Sequence, residues 1–232
     1  MLAALASSAS ACGDYVPDVR YRCSLSVLWR CGATSGTSEA VSEHRWSYAR
    51  NAAFQYTGPF HSTHNGEAVV IDLGERRGDI FALQHPPMGQ SYADRYQSAQ
   101  TPIAALNDSA SYNELMKRAG GFDAMWKLIA RVPSIAGRHT LQAEQYPVFV
   151  RFRDPADPTS IEELSSTNLV ALTGETVTID EVGIEITGSP VTRVVRSKLP
   201  WLSTSKGPLN DGPGMNVAGP LAGRVGHSAF FS

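Results

Sequence analysis

Alternation between apolar and polar side chains is strictest between Val19 and Cys31. Every odd position of this range holds an apolar residue or a cysteine, and every even position except Leu28 holds an arginine or a serine. Successive side chains of a β-strand leave opposite faces of the sheet, so this alternation is typical of a strand. The range therefore predicts a long strand with one face in a core and the other in solvent.

Two hairpins are predicted from the pattern. Residues 40–48 alternate in the same way and form the expected antiparallel partner of the first strand, with 32–38 as a Gly/Ser/Thr-rich turn or loop. Residues 67–73 and 79–83 are apolar runs on either side of the charged tip 74–78. Two such runs around a short glycine-bounded connection predict a second hairpin.

The remaining segments predict short helices inserted among further strands. Strands are predicted at residues 146–153 and 176–187, the second with a bulge at 180–182 because its apolar parity changes there. Asp157 followed by Pro158 is a favourable helix start. Helical segments are predicted at residues 112–118, 122–131, 158–164, 167–172 and 190–198. Irregular segments are predicted at residues 51–66, 85–101 and 134–145. The pattern as a whole indicates an α+β fold of antiparallel hairpins with several short helices inserted.

Composition supports one folded domain with extended ends. The chain has 232 residues, of which 42% are hydrophobic and 18% are charged, as in globular proteins. We expect a single α+β domain at 19–202, an anchor segment and linker at 1–18, and an irregular tail at 203–232. A formal net charge of -2 argues against nucleic-acid binding, which needs a clustered basic surface.

Small, uncharged residues fill positions 1–11 and lead to Cys12. This order is similar to the end of a bacterial secretory signal whose cysteine is acylated, but no lysine or arginine precedes Arg20. Two interpretations stay open: either the start lies further upstream and Cys12 carries a lipid, or 1–11 is a flexible tail. The chain has no run of about 18 apolar residues, the length that a spanning helix needs.

The two other cysteines are predicted to be buried thiols. Cys23 and Cys31 lie eight positions apart on the first strand. At about 3.3 Å per residue they are separated by roughly 26 Å, which is far beyond the reach of a disulfide. We therefore expect both side chains to pack in the core as small hydrophobes.

Four sequence segments carry a resemblance to a known family. They are YVPDVRYRCSLSV, NGEAVVIDLGERRGDIFAL, YPVFVRFRDPADPTSIEEL and VGIEITGSPVTRVVRSKLPWL. In order and spacing they resemble an uncharacterised family of envelope lipoproteins from Gram-negative bacteria, over about residues 15–202 and weakly over 219–231. The resemblance implies an exported protein on the periplasmic side of a membrane, with a signal peptide that begins upstream and a lipid on Cys12. It supplies no catalytic residue, and we expect no cofactor.

A charged group after the strand at 146–153 is the first candidate site. Arg151 and Arg153 precede the turn that contains Asp154 and Asp157, and two guanidinium groups can form a receptor for a carboxylate or a phosphate. The competing interpretation is local. In that case the aspartates order the turn and cap the next segment, and the arginines pair with acidic neighbours such as Glu162.

His61 and His64 are the second candidate, as metal ligands. Imidazole suits zinc and similar ions, but a His-x-x-His spacing in a loop fixes no third ligand. The sequence also contains no G-x-S-x-G nucleophile elbow and no glycine-rich phosphate loop. The expectation is therefore that the protein has no metal and no catalytic residue.

These observations favour a non-enzymatic envelope protein, tethered by a lipid on Cys12, that acts through its surface. One alternative is a periplasmic module that binds a small molecule, or an enzyme, with a site made by Arg151, Arg153 and the loop of His61 and His64. Convergence of these groups on one concave pocket would favour it. Another alternative is an accessory subunit of a larger envelope assembly, whose protein partner would order the tail.

Overall fold

The computed structural model describes residues 16–49, 59–84, 97–166, 168–203 and 230. Within these ranges, two antiparallel sheets and four short α-helices confirm the predicted α+β fold class. The strands are β1 (Val19–Cys31), β2 (Thr34–Tyr48), β3 (Phe60–Asn65), β4 (Val69–Asp72), β5 (Asp79–Ala82), β6 (Arg138–Thr140), β7 (Phe149–Phe152), β8 (Ile161–Leu164), β9 (Leu169–Val170) and β10 (Thr176–Ile186). The α-helices are α1 (Thr101–Ala105), α2 (Tyr112–Ala119), α3 (Phe122–Arg131) and α4 (Val195–Lys198).

β1 is the central strand of the larger sheet and has the bounds that its alternation predicted. This sheet has the order β3-β2-β1-β10-β6, and β9 also pairs with β10. β1 pairs with β2 along its whole length and with β10 from Cys23 to Cys31. The smaller sheet has the order β4-β5-β7-β8, and its β4–β5 pair is the predicted second hairpin.

The inner face of β1 lies in the main core, as predicted. From Tyr21 to Cys31 each odd-numbered side chain is at most 7% exposed. Cys23 and Cys31 are both free and buried, which confirms the prediction for these thiols. Burial raises the pKa of Cys23 to about 12, so this thiol stays protonated and unreactive at neutral pH.

The outer face of β1 is only partly in solvent, contrary to the prediction. Ser24 and Ser26 are buried. Ser26 donates a hydrogen bond to the carbonyl of Gly183 at 3.2 Å and accepts one from Arg138 of β6 at 2.5 Å. Arg138 therefore covers this part of the sheet, which a period-two pattern alone does not show.

β10 contains the predicted bulge. Between Ile179 and Glu181 the pairing with β1 skips Asp180, which is the extra residue. The skipped carboxylate accepts two hydrogen bonds from Arg30 of β1, at 2.6 and 2.7 Å. The bulge turns this side chain toward the neighbouring strand.

The main core lies between the inner faces of the two sheets and helices α1 to α3. Helices α2 and α3 confirm the two predicted at 112–118 and 122–131. The hydroxyl of Ser111 caps α2 by accepting a hydrogen bond from the Glu114 amide at 3.2 Å, and α2 ends at Gly120, whose φ is 74°.

A second apolar cluster covers the opposite face of the smaller sheet. α4, the 3₁₀ turn at Pro200–Ser203 and Phe230 pack there against Phe81 and Phe152. Phe230 is fully buried, and its carbonyl accepts a hydrogen bond from the Ala68 amide at 3.0 Å. The smaller sheet is thus covered on both faces. The tail predicted at 203–232 lies outside the described residues, apart from Ser203 and Phe230.

Three segments that were predicted to be loops or irregular belong to strands. Residues 34–38 belong to β2, since Gly32 adopts a φ of 58° and closes the first hairpin with only two residues. Residues 60–65 form β3 and residues 138–140 form β6, although both segments were predicted to be irregular. These two edge strands form because β2 and β10 offer unpaired backbone groups.

Three predicted helices are corrected. Asp157 caps a 3₁₀ turn at Pro158–Ser160, but residues 161–164 form β8 because they pair with β7. The segment predicted at 167–172 contains β9 instead. α4 begins only at Val195, because the buried carboxylate of Glu67 accepts hydrogen bonds from the amides of Val194 and Val195 at 2.5 and 2.9 Å.

Candidate functional site

Arg151 joins the two sheets through its guanidinium group. It projects from β7, where it pairs with Glu162 of β8 at 2.9 Å. The same group donates to the carbonyls of Val170 and Ala171, at 2.5 and 2.9 Å, which belong to β9 and the residue after it. Arg153 also pairs with Glu162, but its side chain is 74% exposed. The Glu162 carboxylate therefore pairs with both candidate arginines.

The two aspartates of this group are engaged in the turn. Asp154 accepts a hydrogen bond from the Ala156 amide at 2.9 Å. Asp157 accepts from both the amide and the hydroxyl of Thr159, at 2.8 and 2.7 Å. The four predicted ligand residues are thus close in the structure. Each makes the contacts that the local interpretation predicted, since the arginines pair with Glu162 and the aspartates order the turn.

The pKa of Glu162 gives this cluster a measurable signature. Burial opposes the charged form, but hydrogen bonds from Arg151 and Arg153 outweigh it, so the pKa lies below its ordinary value of 4.5. A lowered folded-state pKa stabilises the fold above the unfolded pKa, and this stability is lost as the pH falls through the folded pKa.

We therefore expect Glu162→Gln to reduce the acid sensitivity of the fold. Between about pH 6 and about pH 3, the unfolding free energy of this variant should fall less than that of the wild type, because one linked proton is removed. Urea titrations at several pH values measure this. Glu163→Gln, on the same strand and exposed, is the matched control and should keep the wild-type slope. Equal slopes for wild type and Glu162→Gln would contradict the assignment.

The two candidate metal ligands do not face each other. His61 and His64 lie three residues apart on β3 and therefore project from opposite faces of the sheet. His61 is exposed, whereas His64 stacks on His44 with ring centroids 5.6 Å apart. Among the described residues, no group of three or more His, Cys, Asp or Glu side chains is placed to hold a metal ion.

The histidine and arginine candidates lie at opposite ends of the larger sheet. His64 belongs to the cross-strand row of Tyr21, whereas Arg151 contacts Val170 beside the row of Cys31. The ten residue steps from Tyr21 to Cys31 correspond to roughly 33 Å along β1. These groups therefore do not converge on one pocket.

An aromatic and polar row, buried at Tyr21 and His44 and partly exposed at His64, was missed in the sequence. Tyr21, His44 and His64 stand side by side on β1, β2 and β3, and the rings of Tyr21 and His44 are 4.9 Å apart. His44 Nε2 lies 2.8 Å from the hydroxyl of Ser42, and both residues are buried. The alternation of β2 contained the signal, since His44 shares its parity with the buried Trp46. The row therefore runs from the core at Tyr21 toward the surface at His64.

A second charged cluster fastens α4 to the smaller sheet. The ammonium group of Lys198 lies 2.7 Å from Asp72 and 3.3 Å from Asp79, which face each other across β4 and β5. The hydrogen bond from Lys198 lowers the pKa of Asp72, while burial raises the pKa of Asp79. The Lys198 ammonium group thus lies between two carboxylates and holds α4 against β4 and β5.

Two open depressions lie on the surface, one at each end of the larger sheet. One has a volume of about 580 Å³ and is lined by the tip of the β4–β5 hairpin, where Arg77 binds Glu175 through two hydrogen bonds of 2.5 and 3.0 Å. The other has a volume of about 400 Å³ and is lined by Arg20, Glu43, Arg45, Thr63, His64 and Asn65.

The end of the larger sheet where β1 begins is called the Val19 end here. It comprises the first residues of β1 and β3 and the last residues of β2, which are adjacent in the register. Tyr48 and Phe60 form its last cross-strand pair, and α3 packs on them through Trp126. Tyr48 also donates a hydrogen bond to Asp123 at 2.8 Å, which fixes the start of α3.

Phe122 is the outermost side chain of this aromatic group. Its ring meets Phe60 edge-on with centroids 5.8 Å apart, yet the residue is 51% exposed. Phe122, Met125, Trp126 and Ile129 follow a helical spacing, so Phe122 begins the apolar stripe of α3. The stripe extends past the core at this point.

No protein-family model, curated protein or solved structure matches this chain. None of the described helices has the length and apolar character that a bilayer span requires. The predicted lipidation site, Cys12, precedes the described residues.

Proposed function

We propose that this chain is an exported cell-envelope protein of the lipoprotein family that it resembles. In this proposal it is held at a membrane by acylation of Cys12 and acts through its surface, not as an enzyme. The observation that carries the proposal is the position of Cys12, which follows small uncharged residues and stands seven residues before β1. An acylated residue at this place would tether a folded domain directly.

The short sequence between Cys12 and the core supports this arrangement. Val16 already packs against the main core, so only three residues separate it from Cys12. Four residue steps span at most about 14 Å in an extended chain. A lipid on Cys12 would therefore hold the domain close to the bilayer surface.

The charged clusters support a structural use of the polar side chains. Arg151 links two sheets, Lys198 links α4 to β4 and β5, and Arg77 links a hairpin tip to Glu175. Each of these contacts fastens one element to another. The separation of Arg151 and His64 at opposite ends of the sheet gives no support to a shared small-molecule site.

Metabolic labelling with a radioactive fatty acid in a Gram-negative host tests the proposal. Wild type should incorporate the label, and Cys12→Ala should lose it, because the thiol is the attachment point. Cys31→Ala is the matched control, since this buried thiol should not affect labelling. With protein amounts equalised by immunoblot, equal labelling of wild type and Cys12→Ala would overturn the proposal.

A further inference from the structure

We propose that the Val19 end lies against the lipid surface and that Phe122 inserts into the membrane interface. This inference rests on the acylation of Cys12 proposed above and adds an orientation and a contact residue. The acyl chain would supply the attachment, and the ring of Phe122 would fix how the domain stands on the bilayer.

The position of the tether favours this end of the domain. β1 is 13 residues long, so its two ends are roughly 40 Å apart. The chain enters β1 at Val19, and Val16 packs on the core just before it. A tether of about 14 Å from Val16 therefore keeps the Val19 end nearest to the bilayer.

Phe122 is an exposed apolar side chain at the Val19 end. Among the described residues, three large apolar side chains are exposed: Phe122 at 51%, Val194 at 42% and Leu172 at 39%. Leu172 lies at the opposite end, where its amide donates to the carbonyl of Arg77 in the hairpin tip. Phe122 packs on Phe60, which lies two positions beyond the cross-strand row of Val19, toward this end of the sheet.

The ring of Phe122 is held in place before any contact with lipid. Its neighbour Asp123 accepts the hydrogen bond from Tyr48, and Trp126 of the same helix stacks on Phe60 with centroids 6.2 Å apart. A rigid aromatic side chain loses little conformational entropy when it inserts. Aromatic rings are favourable at the boundary between headgroups and acyl chains.

The contact is apolar in nature, since the nearby charges largely balance. Arg45 pairs with Asp18 at 2.7 Å, and Glu43 shares the surface depression of Arg20. Specific attraction to anionic headgroups needs clustered positive charge. We therefore expect the same orientation on zwitterionic and on anionic vesicles.

A fluorescence experiment on the full-length, acylated chain tests the inference. An environment-sensitive dye is attached to Phe122→Cys and, as matched control, to Leu172→Cys. The native thiols Cys23 and Cys31 are each 1% exposed and stay unlabelled in the folded protein. Both variants are reconstituted into phosphatidylcholine vesicles with and without brominated acyl chains, and the mass of the chain verifies acylation.

The expected result is a blue shift and a loss of emission in brominated vesicles at position 122, with unchanged emission at position 172. Addition of anionic lipid should not alter either signal. An acylated, vesicle-bound chain whose dye at 122 stays in water overturns the inference and leaves the proposed function standing. A chain without acylation overturns both.

Discussion

Replacing Phe230 by alanine should lower the unfolding free energy by about 3 to 5 kcal/mol, the range observed for large aromatic side chains removed from cores. Phe230 is fully buried in the second apolar cluster, with its ring 5.9 Å from both Phe81 and Phe152. Among the described residues, Val195, Leu199 and Leu202 share this cover of the smaller sheet with Phe230, so the loss of its ring would leave a cavity beside them. Chemical denaturation measures the difference.

The matched control for this prediction is Phe122→Ala. This removes the same side chain from a half-exposed position and should cost about 1 kcal/mol or less, because less apolar area leaves water on folding. If Phe230→Ala were as stable as Phe122→Ala, Phe230 would not be a core residue. The second apolar cluster would then be closed without the C-terminus.

Replacing Arg151 by methionine should cost about 2 to 4 kcal/mol, because partly buried acceptors lose a charged donor. Methionine keeps the apolar stem of the side chain. Glu162 would lose its less exposed partner, and the carbonyls of Val170 and Ala171 would lose their hydrogen bonds across the sheets. The difference is again measured by denaturant unfolding.

Arg153→Met separates the structural role from a ligand-binding role. The Arg153 side chain is 74% exposed, compared with 18% for Arg151, so its loss should cost about 1 kcal/mol or less. Equal destabilisation by the two substitutions would contradict the view that Arg151 joins the sheets. If both arginines faced solvent to bind a carboxylate or a phosphate, the two substitutions would change the unfolding free energy by small and similar amounts.

The long strands and helices α2 and α3 could be predicted because their patterns are local. The alternation of β1 identifies its buried face without knowledge of its partners, and the parity change near Asp180 identifies the bulge. α2 has its cap at Ser111 and its glycine stop at Gly120 in adjacent sequence. Such signals are contained in a few consecutive residues.

The short strands could not be predicted because pairing decides them. The segment after Pro158 has apolar residues three apart, Ile161 and Leu164, which is compatible with a helix. The register with β7 makes it a strand. Apart from Phe60, β3 consists of polar residues, and it becomes regular only through its pairing with β2. For such edge segments, tertiary context outweighs propensity.

For the candidate sites, too, local contacts could be predicted from the sequence and contacts between distant segments could not. The local interpretation of Asp154 and Asp157 needed only the turn sequence, and the structure has these contacts. The contact of Arg151 with Val170 joins residues from different sheets, and the sequence carries no signal for it. Phe122 was placed on a helix correctly, but its exposure depends on where the core ends.

The central claim is that Cys12 carries the lipid that places this domain at a membrane. The most direct measurement is the intact mass of the protein extracted from host membranes, together with its N-terminal sequence. The account predicts a chain that begins at Cys12 and has the additional mass of acyl groups on that residue. A soluble chain that retains residues 1–11 and an unmodified Cys12 would contradict it.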